Sequence, residues 1–341
     1  MNRRWLCNDV WMDILPSFDH AQLGLKLALL SDRFDVLVDT HFDGKTELTL
    51  WREIRIRKNI LPKKKLSVRI DRKFVDFPLP DRPLPNKIRF KNLRIDYIDY
   101  SVLTFIRSNK PIWDRNGTKF ELSIWSNKTE DDQPIWDVFV REIWPIFATN
   151  IRHLNFADGD HLGNLRRRIS PSILTDLDQL SSIDSGHLCT DGIADNEPNS
   201  ISAGQALAKW LHTPTKDGQP SELRCRTYCY EITLGWINNF KETFLRATTS
   251  VAYNVRLELL LASQMSFVEP FNLVNGRTNE RLTLEKEGNY CLLKRCPNVG
   301  ETATNQWEND GNSDANLNNV KFNFWDGSYC IGPLSPPVEK E

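Results

Sequence analysis

The chain has 341 residues, with 44 Lys or Arg against 45 Asp or Glu and a net charge of −1. So even a balance excludes a protein held to nucleic acid mainly by neutralising phosphates, and 40 % hydrophobic, 26 % charged and 10 % aromatic residues exclude an acidic disordered chain. The length suits about two globular domains. Met1 to Trp5 carry two arginines, but Asn8, Asp9 and Asp13 interrupt the apolar stretch behind them, so no secretory segment is expected. The longest apolar run, Leu259 to Val268, falls well short of the roughly 18 residues a membrane-spanning helix needs.

The first forty residues read as helices. Val10, Ile14, Leu15 and Phe18 form an apolar stripe, with Asp9 and Asp13 in or near the first turn, where negative charge suits the helix dipole. Leu23, Leu27, Leu30, Phe34 and Leu37 follow helical spacing, and Leu25, Leu29 and Val36 add a second apolar face. So small a unit buries too little surface to cover both faces, so the rest of the chain or a partner is expected to do it.

Residues 43–86 are basic and then proline-rich, with Arg52, Arg55, Arg57, Lys58, Lys63, Lys64, Lys65, Arg69, Arg72 and Lys73 ahead of Pro78, Pro80, Pro83 and Pro85. Alternation at Leu48, Leu50, Ile54 and Ile56 predicts one short strand, and Leu66, Val68 and Ile70 another. The cations read as the solvated face of edge strands, which argues against nucleic acid as a partner.

From residue 87 a strand recurs: Leu93-x-Ile95, Leu122-x-Ile124, Leu154-x-Phe156, Leu180 to Ile183, Leu223-x-Cys225 and Val255-x-Leu257. Helical patterns lie between, at Val102, Phe105 and Ile106; Trp136 to Trp144; Leu162 to Ile169; Ala206 to Leu211; and Trp236 to Phe244. Strand then helix about every thirty residues predicts one parallel βα array, as a leucine-rich-repeat-like solenoid or a doubly wound sheet. The polar stretch from Asp191 to Ser202 reads as an exposed loop. Phe271 to Val274, Arg281 to Glu285, Cys291 to Arg295 and Val320 to Phe324, with turns at Asn275-Gly276 and Gly288-Asn289, predict an antiparallel β-cap.

Chemistry-bearing motifs are absent: no phosphate-cradling glycine loop, no H-E-x-x-H, no G-x-S-x-G and no paired C-x-x-C. His153 and His161 flank Asp158-Gly159-Asp160, which could hold a metal or supply a base but reads better as a turn and helix N-cap. The seven cysteines (7, 189, 225, 229, 291, 296 and 330) are an odd number without framework spacing, so free, mostly buried thiols are expected. Cys291 and Cys296, at odd spacing on one strand, should face opposite ways. Trp136, Trp144, Trp210 and Trp236 are expected in the core, whereas Trp51, Trp125 and Trp307 could be exposed.

Leu6-Cys7-Asn8-Asp9-Val10-Trp11-Met12-Asp13-Ile14-Leu15 with Phe18-Asp19 resembles the opening of the F-box, and Leu27 to Asp39 resembles its closing helix. Cys7 stands where the family has proline and Phe34 where it has tryptophan, and the middle is one residue longer than the common spacing. Phe18 to Lys26, Ser202 to Leu211, Glu280 to Leu284 and Leu292 to Pro297 resemble an expanded F-box-like family of plant-parasitic nematodes across nearly the whole chain. The resemblance implies a mixed α and β fold. An F-box-like helical module (1–42) is followed by a basic, proline-rich linker with short strands (43–86), a βα-repeat domain of leucine-rich-repeat-like parallel strands (87–262), an antiparallel β-cap (263–330) and a flexible tail (331–341).

It also implies a non-enzymatic substrate-recognition adaptor of a Skp-cullin-F-box ubiquitin ligase, in the cytoplasm or nucleus, without metal or cofactor. A Skp-type adaptor, and through it a cullin, would dock on Leu6, Val10, Ile14, Leu15, Leu23, Leu30 and Phe34. An unidentified target protein would be held by the repeat domain and its loops. The alternative is an F-box-derived binding scaffold that no longer engages the ligase.

Overall fold

Alternating apolar and polar residues set the strands of this protein, and what covers the apolar side sets everything else. The structure, a computed structural model, describes residues 6–18, 22–43, 50–57, 65–70, 73–80, 83–84, 89–113, 117–124, 133–156, 159–190, 202–216, 218–227, 230–259, 268–288, 290–298, 317–324 and 331–335. Two units are formed: Met1–Thr118, Ile124–Phe147 and Leu317–Glu341 make the first, and Lys119–Ser123 with Ala148–Asn316 the second.

The first unit begins with helix α1 (Asn8–Ile14), a 3-10 turn at Leu15–Ser17, a π-helical stretch at Leu23–Leu27 and a second 3-10 turn at Ala28–Leu30. Helix α2 (Asp32–Asp43) follows. The single helix expected from Leu23 to Val38 is therefore broken. Ser31 is extended, with φ −170° and ψ 162°, and caps the new start: its Oγ accepts from Phe34 N at 3.4 Å and its carbonyl from Asp35 N at 3.0 Å.

The two short strands expected between residues 43 and 86 are present, and with a third they build a sheet rather than a linker. Strands β1 (Leu50–Arg57), β2 (Lys65–Ile70) and β3 (Lys73–Pro78) pair antiparallel in succession, and β1 runs parallel to β4 (Arg89–Ile95). Arg55 and Arg94 both pair with Asp96, at 2.5 and 2.7 Å, and Arg57 meets Asp76 at 3.4 Å, so carboxylates just after β4 and on β3 offset these cations. Lys63 and Lys64 lie outside the described residues.

Helix α3 (Tyr100–Ser108) starts at Asp99, whose carboxylate accepts from Val102 N at 3.0 Å. The short α4 (Lys110–Trp113) is fastened to it by the Trp113 indole, which donates to the Ile106 carbonyl at 2.8 Å. After β5 (Thr118–Ile124) come α5 (Gln133–Val138), a π turn at Phe139–Ile143 and α6 (Trp144–Phe147).

The chain's last strand, β13 (Asn318–Phe324), pairs parallel with β4, whose other neighbour is β1. This overturns two expectations. Val320 to Phe324 do not belong to the antiparallel cap, and Leu93 does not begin a run in which each repeat strand pairs with the next. The apolar rows explain the placement: Ile54, Leu93 and Val320 are in register, as are Ile56, Ile95 and Phe322, all buried. The Phe322 ring meets Phe139 and Phe147 edge-on, with centroids 5.7 and 6.0 Å apart.

The start of the expected tail is likewise pinned: Gly332 N donates to Ile98 O at 2.8 Å and Tyr100 N to Pro333 O at 2.9 Å. Any side chain at Gly332 would overlap the Tyr97 hydroxyl, so glycine is required there.

In the second unit β6 (Ile151–Phe156), β7 (Ser182–Asp184), β8 (Ser221–Thr227) and β9 (Tyr253–Leu259) pair in sequence order, all parallel. Helices α7 (Gly159–Arg168), α8 (Ile173–Asp176), α9 (Ala203–Leu211) and α10 (Tyr230–Arg246) connect them, so this part of the expected array holds. The cap is antiparallel as expected: β12 (Tyr290–Pro297) pairs with β9 and β11, and β10 (Phe271–Asn275) adds to β11 (Glu280–Glu287). Along β8 and β9 burial alternates strictly, with Leu223, Cys225, Val255 and Leu257 inside and Glu222, Arg224, Arg226, Arg256 and Glu258 half-exposed. Of the expected polar loop, residues 191–201 lie outside the described residues.

Because Phe322 joins β13 to two aromatic side chains of the covering helices, Phe322→Ala should lower the stability of the chain by about 3–5 kcal/mol in urea unfolding. Lys321→Ala, one residue earlier and half-exposed, should change it by less than about 0.5 kcal/mol.

Candidate functional site

The N-terminal helices show how seven expected docking residues divide. Leu15 and Leu23 are completely enclosed, together with Ala28, Leu37, Val38 and Phe42, and Trp11, Met12, Leu27 and Phe34 pack around them. Those two leucines are core, not surface. Leu6, Val10 and Leu30 are exposed, at 49, 39 and 67 %, and Ile14 and Phe34 are half-buried. Phe18 and Val36 add further exposed apolar surface at 37 and 65 %.

Two contacts set the angle of α1 against α2. Arg33 donates through Nε and Nη2 to Asn8 Oδ1, at 3.1 and 2.9 Å, and through Nη2 to Leu6 O at 2.5 Å. Trp11 and Phe34 meet edge to face with centroids 4.8 Å apart, so Phe34 holds the inner seam. Cys7 takes the N-cap position of α1 with no side-chain hydrogen bond, and its thiol is exposed. The second apolar face is covered in part: Leu25 is buried, and the neighbouring Lys26 ammonium lies 5.4 Å from the Phe77 ring of β3.

Elsewhere His153 is buried on β6 and His161 on α7, while Asp158 lies outside the described residues. Among the described residues no three His, Cys, Asp or Glu side chains converge as a metal site would require, and no helix is long and apolar enough to cross a membrane. Cys189, Cys225 and Cys291 are buried free thiols, and Cys296 is half-exposed on the opposite side of β12 from Cys291. Burial, with the Cys189 thiol against it, pushes the Cys225 thiol well above its ordinary value and keeps it protonated. Trp136, Trp144 and Trp210 are buried as expected, but Trp236 is only half-buried.

A buried polar cluster in the second unit escaped the sequence reading. Arg295 and Glu280 are 1 and 0 % exposed and form an ion pair at 2.6 Å. Arg295 also donates to Thr249 O, and Glu280 Oε1 accepts from Ser250 Oγ and Val251 N, each at 2.8 Å. Burial pushes the Glu280 carboxyl up, but hydrogen bonds from Arg295 and Ser250 and the guanidinium charge outweigh it and hold it below the usual range. The signal was present in the alternation: Glu280 shares the parity of Leu282 and Leu284, and Arg295 that of Cys291 and Leu293.

His212, just after α9, places its ring 5.2 Å from that of Tyr253, which pairs with Arg295 across the β9–β12 ladder. Its Nδ1 lies 2.8 Å from Ala208 O, and since a carbonyl only accepts, Nδ1 carries the proton. Burial drives its pKa down to about 4; the bond to Ala208 opposes this, Arg295 adds to it and Glu280 opposes it.

No protein-family model, no curated protein and no solved structure matches the chain.

Two predictions follow the split between core and surface and the buried imidazole. Leu15→Ala should destabilise the chain by about 2–5 kcal/mol, while Leu30→Ala should be neutral to within about 0.5 kcal/mol, read as thermal or urea midpoints. The unfolded chain protonates His212 near pH 6.5 and the folded chain near pH 4, so stability should fall as pH drops through that window. His212→Phe should remove on the order of 3 kcal/mol of that pH dependence.

Proposed function

We propose that the chain is the substrate-recognition subunit of a Skp-cullin-F-box ubiquitin ligase, its N-terminal helices docking on a Skp-type adaptor and its α/β part holding the protein to be ubiquitinated. One observation carries the reading. Of the eight large hydrophobic side chains exposed among the described residues, five, Leu6, Val10, Phe18, Leu30 and Val36, fall in the N-terminal helices that resemble the F-box. Apolar surface that a chain of this composition could have buried, concentrated on one short segment, marks an interaction site. Leu6, Val10 and Leu30, with the half-buried Ile14 and Phe34, make the adaptor contact, and Leu15 and Leu23 support it from beneath. Arg33 positions α1 for this contact through Asn8 and Leu6. One-sided burial along β8 and β9 suits the leucine-rich-repeat-like reading of the second unit.

In this scheme the chain performs no chemistry of its own; it brings a target to the ligase. Val10→Asp with Leu30→Asp places charge on exposed positions and leaves the enclosed core untouched. Affinity for a purified Skp-type adaptor, measured by titration calorimetry, should fall by about a hundredfold or more with the thermal midpoint retained. Undiminished affinity overturns the adaptor reading, and absence of any affinity in the unaltered chain favours the scaffold that has left the ligase.

A further inference from the structure

An edge strand exposes a row of backbone donors and acceptors, and natural sheets guard such rows with charge, proline or a cover. Strand β10 pairs with β11 on one side, and no strand pairs with its other side among the described residues. Its residues, Phe271-Asn272-Leu273-Val274-Asn275, carry no charge. By contrast β3, which likewise pairs on one side only among the described residues, carries Lys73, Asp76 and Pro78. The surroundings of β10 are apolar as well. Outside the N-terminal helices the large hydrophobic side chains exposed among the described residues are Ile232 and Leu245 on α10 and Val274 on β10. Asn275 Nδ2 donates to the Phe244 and Ala247 carbonyls at 2.6 and 3.0 Å, so Leu245 and Val274 are each next in sequence to a residue of the link between α10 and the strand.

The two ends of β10 select the partner. Glu269 and Pro270 precede the strand, Gly276 and Arg277 follow it, and both charged residues are exposed. They stand four residues to either side of Leu273. A second copy of the strand laid antiparallel about Leu273 therefore sets Leu273 opposite Leu273 and Asn272 opposite Val274, and it brings each Glu269 beside the other copy's Arg277. A parallel copy would set glutamate beside glutamate and arginine beside arginine, which like charges disfavour. Residues directly opposite one another share a face, so the half-buried Phe271 and Leu273 stay on the core side and Val274 meets Asn272 on the other. We infer that two copies of this chain associate through β10, antiparallel and in the register centred on Leu273, with a two-fold axis that makes one surface serve both copies. This association is independent of the adaptor contact, which uses Leu6, Val10 and Leu30.

Sedimentation equilibrium of the full-length chain, without adaptor, tests it. Pairing over so short a strand makes a small interface, so the mass should rise with concentration from the 39.6 kDa of one chain towards twice that value, with a Kd of about 10–100 µM. Asn272→Lys with Val274→Lys, both at exposed positions, opposes lysine to lysine twice in this register and should raise the Kd about tenfold or more with the thermal midpoint retained. Glu269→Arg should weaken association about threefold, and adding Arg277→Glu should restore it, because the antiparallel register alone exchanges the two ends. A chain that stays monomeric at concentrations well above that Kd, a dimer indifferent to the lysines or to Glu269→Arg, or one that the charge exchange fails to restore overturns the inference.

Discussion

A strand that alternates apolar and polar residues sends one set to the core, and in the second unit one such apolar row crosses six strands in register. Leu154, Ile183, Leu223, Val255, Leu293 and Leu284 occupy successive register positions on β6, β7, β8, β9, β12 and β11, and each is 1 % exposed or less. The row passes from parallel to antiparallel pairing at β12 without losing its parity. Slipping any one strand by a single residue would carry its apolar set to the other face, so the row fixes register throughout. Side chains from α10 close over it: Phe240 approaches the Tyr253 ring at 6.1 Å, and Lys241 lies over Phe271 at 4.2 Å.

The opposite face follows from the same rule. Arg226 pairs with Asp184 at 2.6 Å and with Glu258 at 3.2 Å, Arg256 pairs with Glu258 at 2.9 Å, and the Arg256 guanidinium stacks 3.6 Å from the Tyr290 ring. Half-exposed pairs of this kind contribute little one by one, and together they give a polar surface with its charges balanced. Glu280 and Arg295 break the rule by placing charge on the apolar side. Desolvating two ions is costly, and the structure offsets that cost by satisfying both: the carboxylate is bonded to Arg295, Ser250 and Val251, and the guanidinium to Glu280 and Thr249. Removing one partner would strand the other charge in the core, so the pair ties β11 and β12 to the residues that lead into β9.

The N-terminal helices solve a different problem. Their few enclosed side chains hold the module together, and five of the eight large hydrophobic side chains exposed among the described residues lie on this short segment. A fold alone does not name a function, and the proposed role rests on those outward residues and on the resemblance of their pattern. Binding surfaces of this kind are assembled from side chains that local periodicity cannot distinguish from core. Leu15 and Leu30 illustrate this: both fall on an apolar helical pattern, yet one is sealed and the other is two-thirds exposed.

From the sequence by itself the strand and helix positions of the second unit, the antiparallel cap, the opposed faces of Cys291 and Cys296 and the apolar N-terminal helices could be read, because each depends on local alternation or spacing. The break at Ser31 was also locally encoded, but the apolar pattern on either side of it masked the cap. Only the tertiary structure could decide that the strands expected around residues 50–56 and 66–70 gain a third at Lys73–Pro78 and join β4 through β1, and that β13 returns from the far end of the chain to pair with β4. It alone could show that Glu280 meets Arg295. Pairing between distant strands is chosen by which apolar rows match and which backbone donors remain to be satisfied, and no stretch of sequence contains both partners of that choice.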